Sequence, residues 1–133
     1  MKRKKGFTLI EIMLVVAIIG LLAAMVMPKL SGRSQKARES VAKADVTVNL
    51  PLAVDLYEID VGKFPESLDD LFDNRTDKDT WSGPYLKQKA LDPWGSAYVY
   101  TYPGNHNTST YDIFSKGPDE QEGTEDDIGN WEK

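Results

Sequence analysis

Between Asp119 and Asp127, six carboxylates fall within nine residues: Asp119, Glu120, Glu122, Glu125, Asp126 and Asp127. Oxygen side chains at this density suit coordination of a hard cation. Calcium takes about 6–8 oxygens in flexible geometry, backbone carbonyls included. A single histidine and no cysteine argue against zinc or copper, which favour nitrogen and sulfur. The spacing is not that of an EF-hand, because Gln121 and Gly123 occupy the third and fifth places counted from Asp119. The rival reading is a solvated acidic tail. Gly117, Pro118 and Gly123 weigh against it by shaping a turn, and Trp131 just beyond needs burial, which ties the loop down. Like charges this close also repel unless something neutralises them.

A second carboxylate stands alone. Glu11 is the only charge in the 21 residues from Phe7 to Met27. At about 1.5 Å per residue this run spans roughly 30 Å, the thickness of a bilayer core. Four basic residues, Lys2, Arg3, Lys4 and Lys5, precede it, so the positive-inside rule keeps them cytoplasmic and sends the carboxyl end outward. Three readings compete. A secretory signal peptide has this basic-then-apolar order, but Glu11 interrupts the run and Leu22-Ala23-Ala24 is no clean cleavage site. A plain signal anchor explains length and orientation but not Glu11, since a carboxylate at a membrane-helix centre costs about 2.5–3.5 kcal/mol. A third reading gives Glu11 a charged partner, since a buried carboxylate is tolerable when paired.

Little else in the chain suggests chemistry. His106, the sole histidine, lies in a Gly/Asn turn and reads as an exposed loop residue. There is no G-x-S-x-G, no histidine-paired nucleophile and no phosphate loop, so the expectation is a protein without catalytic residues. The formal net charge is −5, and loss of the four-charge leader would leave −9. So acidic a chain is a poor nucleic-acid partner. The aromatic residues Trp81, Tyr85, Trp94, Tyr98, Tyr100 and Trp131 read as packing anchors. A globular part of roughly 70–75 residues has a small core and ordinarily needs a staple. Without cysteine, a cation is one candidate.

The elements that must position these groups follow. From Ser34 the pattern is amphipathic. Ala37, Val41, Ala44, Val48, Leu52, Leu56 and Ile59 recur at spacings of 3 and 4, which predicts a helix face packed on a sheet. Lys36, Arg38, Glu39, Lys43 and Asp45 fill the other face. Pro28 and Gly32 weaken the helix after the apolar run, and Pro51 predicts a kink. A continuous helix from Phe7 to Ile59 would be about 80 Å long. Gly62 and Pro65 end it. A short helical turn is expected around Leu68–Phe72, capped by Ser67. Asp92-Pro93-Trp94-Gly95 reads as a type I turn. Ala97–Tyr102 and Tyr111–Ser115 read as paired strands in a small antiparallel sheet of three or so. The fold class is therefore α+β, a long amino-terminal helix packed on a small antiparallel sheet.

The string Lys5-Gly6-Phe7-Thr8-Leu9-Ile10-Glu11 resembles the leader and cleavage site of type IV pilins and type II secretion pseudopilins. Further along, Tyr57-x-x-Asp60-x-Gly62-x-Phe64-Pro65, Gly83-Pro84-Tyr85-Leu86, Asp92-Pro93-Trp94-Gly95, Tyr111-Asp112-Ile113-Phe114-Ser115, Gly117-x-Asp119 and Asp127-Ile128-Gly129-Asn130-Trp131 resemble the major pseudopilins of the type II secretion system, over nearly the whole chain. The chain departs in a shorter acidic loop, in Glu120 where a glycine is usual, and in Pro51.

The resemblance implies a pilin-like fold in four parts: leader 1–6, membrane and filament-core helix 7–29, amphipathic periplasmic helix 30–60, and a β-domain 61–133 ending in a calcium loop. It implies cleavage between Gly6 and Phe7 by a prepilin peptidase, N-methylation of Phe7, and pairing of Glu11 with the Phe7 amino group of a neighbouring subunit. It implies calcium held by Asp119, Asp126, Asp127 and the backbone carbonyl of Lys116, with Glu125 a substitute for one of them. The implied role is a homopolymeric periplasmic pseudopilus in the type II secretion system, anchored in the inner membrane lipid before assembly. Its implied partners are minor pseudopilins, an inner-membrane assembly platform and a cytoplasmic ATPase motor. The alternatives left open are a type IV pilin and a signal-anchored periplasmic calcium-binding protein.

Overall fold

The computed structural model describes residues 6–75 and 79–131, the side chains of 26–31 excepted. The basic leader residues 2–5 lie outside it. The chain divides into two units, Met1–Lys36 and Ala37–Lys133.

The first unit is helical from Leu9. The helix α1 spans Leu9–Ala44, its length supported by Leu, Met and Ala, which lose little entropy in a helix. Its backbone stays helical through Pro28 and Gly32, the two positions expected to weaken it. Every apolar side chain described between Leu9 and Met25 is exposed. Among the described residues no helix is long and apolar enough to cross a membrane. The expected span reaches Met27, so its end lies outside the side chains described.

In the second unit the helix changes pitch. Residues Asp45–Asn49 form a single wide turn, in which the Leu50 N–H donates to the carbonyl of Asp45, five residues back. Helix α2, Leu50–Val61, follows with Pro51 in its first turn. In a regular helix the Pro51 ring would press on the carbonyl of Thr47, and proline offers no N–H. A widened turn just before it relieves both problems. Side chains patch the loosened ladder: Thr47 Oγ1 donates to the Lys43 carbonyl at 2.6 Å, and Asn49 Nδ2 to Asp45 Oδ1 at 2.7 Å. The kink expected at Pro51 is thus a wide turn. Helix α2 stops at Gly62, whose left-handed φ of 81° lets its N–H reach the Glu58 carbonyl at 2.8 Å.

The wide turn also decides which face is buried. The stripe Ala37, Val41, Ala44, Val48, Leu52, Leu56 and Ile59 was expected to meet the sheet, yet all seven are exposed. The buried face is Ala42, Val46, Leu50, Ala53, Val54, Tyr57 and Val61. From Ala42 to Val54 this set advances in steps of four, which drift about 40° each on a regular α-helix. The wide turn absorbs that drift and keeps Val46 and Leu50 on one line.

Against this face lie Leu71, Tyr98, Tyr111 and Ile113, with Phe64, Trp81, Tyr85 and Tyr100 around them. Trp81 and Tyr85 meet edge to face at 5.8 Å, and Tyr85 meets Tyr57 likewise at 5.7 Å, so these aromatics are packing anchors as expected. A 3₁₀ turn at Leu68–Leu71 carries a capping box of Ser67 and Asp70. The sheet is antiparallel, in the order β1 (Val99–Thr101), β2 (Asp112–Ser115), β3 (Ile128–Gly129). Tyr100 pairs with Ile113, and Ser115 with Ile128. The two-residue β3 is too short for any period to mark it in sequence.

Candidate functional site

Two carboxylate sites emerge, one in each unit. At the start of α1, Glu11 Oε2 accepts the Thr8 backbone N–H at 2.8 Å and the Thr8 hydroxyl at 3.0 Å. The Glu11 N–H donates back to Thr8 Oγ1 at 3.3 Å. This is a reciprocal capping box, with Thr8 as N-cap and Glu11 three residues on. The helix dipole favours an anion here. Glu11 is exposed, and so is Phe7. The arrangement holds one carboxylate at the amino end of an apolar helix. Thr8 was not singled out from the sequence, although Thr8-x-x-Glu11 matches the capping-box pattern.

The second site is the loop between β2 and β3. Glycines start its turns: Gly117 has φ 66° and Gly123 φ 88°. A Cβ on Gly117 would collide with the carbonyl of Asp126, so the close approach of the loop's two ends requires glycine there. Glu120 adopts a φ of 57°, uncommon for a residue with a Cβ. The carboxylates are spoken for in part by the loop's own backbone. Asp119 Oδ1 accepts the Gln121 N–H at 2.8 Å, Asp126 Oδ2 the Asp119 N–H at 3.2 Å, and Asp127 Oδ2 the Gly123 N–H at 2.8 Å. Thr124 donates its hydroxyl to Asp126 Oδ1, which, first among the causes, holds the Asp126 carboxyl below its ordinary range.

Asp119, Asp126 and Asp127 are therefore linked through one loop. Asp127 is nearly buried, and its Oδ1 has no hydrogen-bond partner. A buried carboxylate oxygen without a donor is unfavourable unless a ligand supplies the missing positive charge. The donor set is all oxygen, which suits calcium in kind. Among the described residues, no three His, Cys, Asp or Glu side chains converge as a ready-made cage. Glu125 lines an open groove of about 680 Å³ with Glu39, Lys43, Asp126 and Trp131. Lys43 Nζ donates to the Gly129 carbonyl at 2.9 Å, tying β3 to the helix beside this loop.

Two further buried carboxylates hold the frame around this loop. Asp92 receives the Trp94 and Ser96 N–H groups at its turn, and its Oδ2 accepts the Ser115 hydroxyl at 2.6 Å. Ser115 Oγ in turn accepts the Gly117 N–H at 3.1 Å, so the Asp92 turn and the acidic loop share one chain of hydrogen bonds. Asp112 is cradled by the N–H groups of Asn105, His106 and Asn107 and by Asn107 Nδ2, at 2.7–3.1 Å. The His106 ring approaches it at 3.1 Å and stacks on Trp131 at 3.9 Å. His106 is exposed, as its turn implied, and its ring covers one face of the tryptophan.

Burial raises the Asp112 pKa, but the backbone donors of His106, Asn107 and Asn105 outweigh it and leave the carboxyl below its ordinary value. A lowered carboxylate contributes stability that is whole above its unfolded pKa of about 3.9 and is lost as pH falls through the folded value. Asp112→Asn is expected to remove about 2–3 kcal/mol at neutral pH and to flatten the acid limb of the unfolding curve below about pH 4. Denaturant titrations from pH 2 to 7 measure this, and an unchanged acid limb would contradict it.

A capped glutamate at the start of an apolar helix, joined to a small sheet domain with an acidic loop, is the architecture of a pilin-like subunit. Residues 1–27 match the prokaryotic N-terminal methylation motif, and residues 29–131 match the family described as type II secretion system (T2SS), protein G. The chain belongs to that protein G family. It is 41% identical over 97% of its length to the type II secretion system core protein G of Pectobacterium carotovorum subsp. carotovorum, covering 85% of that protein. It is 41% identical to that of Escherichia coli (strain K12), over 97% of this chain and 92% of the relative. To that of Pseudomonas aeruginosa it is 38% identical over 98% and 97%. A solved structure, the major pseudopilin from the type 2 secretion system of enterohaemorrhagic Escherichia coli, superposes with a TM-score of 0.64 at 34% identity, over 77% of this chain and 89% of that one. The helix on a three-stranded antiparallel sheet agrees with the fold expected from sequence.

Proposed function

We propose that this chain is the major pseudopilin of a type II secretion system, a structural subunit that polymerises into a periplasmic pseudopilus and drives export of folded proteins across the outer membrane. The match of the methylation motif and the protein G family, together spanning nearly the whole chain, carries this reading. The subunit waits in the inner membrane, anchored by the apolar run Phe7–Met27, with residues from the amphipathic helix onward in the periplasm. A prepilin peptidase cuts between Gly6 and Phe7, and the new amino terminus is methylated. Glu11, posed by Thr8, then pairs with the Phe7 ammonium of a neighbour, which makes a desolvated charge tolerable. Minor pseudopilins, an inner-membrane platform and a cytoplasmic ATPase complete the machine.

Calcium belongs to the same proposal. Asp119, Asp126, Asp127 and the Lys116 carbonyl would hold it, with Glu125 able to replace one of them. When bound, the ion supplies the positive charge that the partnerless Asp127 oxygen and the crowded acids call for. This chain's part is to present those oxygens on a loop that Gly117, Gly123 and Lys43 fix in place.

The processing step has a direct test. The intact mass of the protein isolated from bacterial membranes is expected to equal Phe7 to Lys133 plus one methyl group. A mass that includes the leader, or that begins after Ala24, would refute the pseudopilin reading in favour of an anchor or a signal peptide.

A further inference from the structure

The wide turn Asp45–Asn49 lies between two stretches of helix that are tied to the same sheet domain. On its amino side, Lys43 Nζ donates to the Gly129 carbonyl at 2.9 Å, and the Tyr98 hydroxyl donates to Asp45 Oδ2 at 2.8 Å. On its carboxyl side, the Tyr111 hydroxyl donates to Asp55 Oδ1 at 3.3 Å and that of Tyr85 to Asp60 Oδ2 at 2.8 Å. With both stretches held, any mismatch in their helical phase must be taken up in the turn. The chain carries such a mismatch. The buried residues Ala42, Val46, Leu50, Val54, Tyr57 and Val61 follow one another at spacings of 4, 4, 4, 3 and 4. A helix that keeps one face on a partner alternates 4 with 3, because about 3.6 residues make a turn. One residue fewer between Val46 and Leu50 would make the series 4, 3, 4, 3 and 4.

We propose that the wide turn is a phase corrector: it stores one residue in excess of what the helix needs, so that the end of α1 and the whole of α2 present one continuous face to the sheet. The backbone fits this role. The Leu50 N–H reaches the Asp45 carbonyl five residues back, one more than in an α-helix. The three residues between Val46 and Leu50 are Thr47, Val48 and Asn49, and all are exposed, so the excess lies on the solvent side. Pro51 fixes the place of the turn, since in a regular helix its ring would press on the carbonyl four residues back. The excess residue is therefore dispensable once Pro51 is replaced as well. Without Val48 the Leu50 N–H keeps the same acceptor, the Asp45 carbonyl, and the bond becomes an ordinary α-helical one. A deletion within α2 has no such slack to draw on, and it rotates the residues before it by about 100° against those after it.

The test compares two deletions on one background. The full chain is purified in detergent as Pro51→Ala, as Pro51→Ala lacking Val48, and as Pro51→Ala lacking Leu56. Val48 and Leu56 are both exposed apolar residues, 60% and 45%, so the side chains lost are alike. Loss of Val48 is expected to leave the melting temperature within about 5 °C of Pro51→Ala, whereas loss of Leu56 lowers it by at least roughly 15 °C or prevents folding. A crystal structure of the Val48-deleted form is expected to show an unbroken α-helix through residues 45–50 with the four ties to the sheet domain in place. Equal losses of stability from the two deletions would overturn the proposal, and so would a helix still widened in the Val48-deleted form. In bacterial membranes the Val48-deleted form is expected to assemble like the parent. Its failure to assemble where the parent succeeds would also overturn the proposal, because the residue would then serve assembly itself. If the parent forms no filament, the filament reading fails, and melting and structure still decide the role of the turn.

Discussion

Glu11→Ala is expected to abolish filament assembly while leaving the melting of the folded unit unchanged. Among the described residues the Glu11 side chain bonds to Thr8, and the buried core begins at Ala42. Removing the carboxylate therefore costs the subunit no more than a helix cap, about 1 kcal/mol in an exposed terminus. In the filament the same deletion would strand an ammonium among apolar helices. An unpaired buried charge costs about 3–5 kcal/mol, so each subunit contact weakens by a factor of at least roughly 150. Repeated along a polymer, that loss is complete. Glu11→Gln separates the two roles, because an amide still caps the helix but carries no charge. Sedimentation of filaments should fail for Gln as it does for Ala. Recovery with Gln would mean that Glu11 serves only as a cap.

For the proposed calcium loop, chelation is expected to carry the next largest effect. The acidic loop is joined to the core through Ser115, Gly117 and β3, so an ion that orders it stabilises the whole second unit. At a hundredfold excess over its dissociation constant, a ligand adds about 2.7 kcal/mol. In a domain of this size that is a shift of roughly 10–20 °C in melting temperature between calcium and chelator. Asp127→Asn should abolish most of the shift, since its buried, partnerless oxygen is the best-placed donor, while Glu122→Gln should leave it intact. A melting curve indifferent to chelator would remove the cation from the account and leave the loop as a hydrogen-bonded turn.

Much was legible from residue types alone. The Asp92–Gly95 turn, the end of α2 at Gly62, and strands β1 and β2 rest on local chemistry that a linear pattern records. The acidic loop was visible as a density of carboxylates. Its individual partners were not, because Asp119 and Asp126 meet only when the turn at Gly117 brings its ends together. The cradle around Asp112 left no sequence signal, since its donors are backbone amides that any residue carries.

The helix separates the two kinds of knowledge most sharply. Two apolar stripes run along residues 41–61, and period alone cannot choose which one meets the sheet. The sequence by itself determined that a helix forms there and that glycine ends it. Only the tertiary structure decided the buried face. Pro51 lacks an N–H and needs room for its ring, the turn before it widens, and that widening aligns Val46, Leu50 and Val54 against Ile113 and Tyr111. Val48, Leu52 and Ile59 are thereby turned outward.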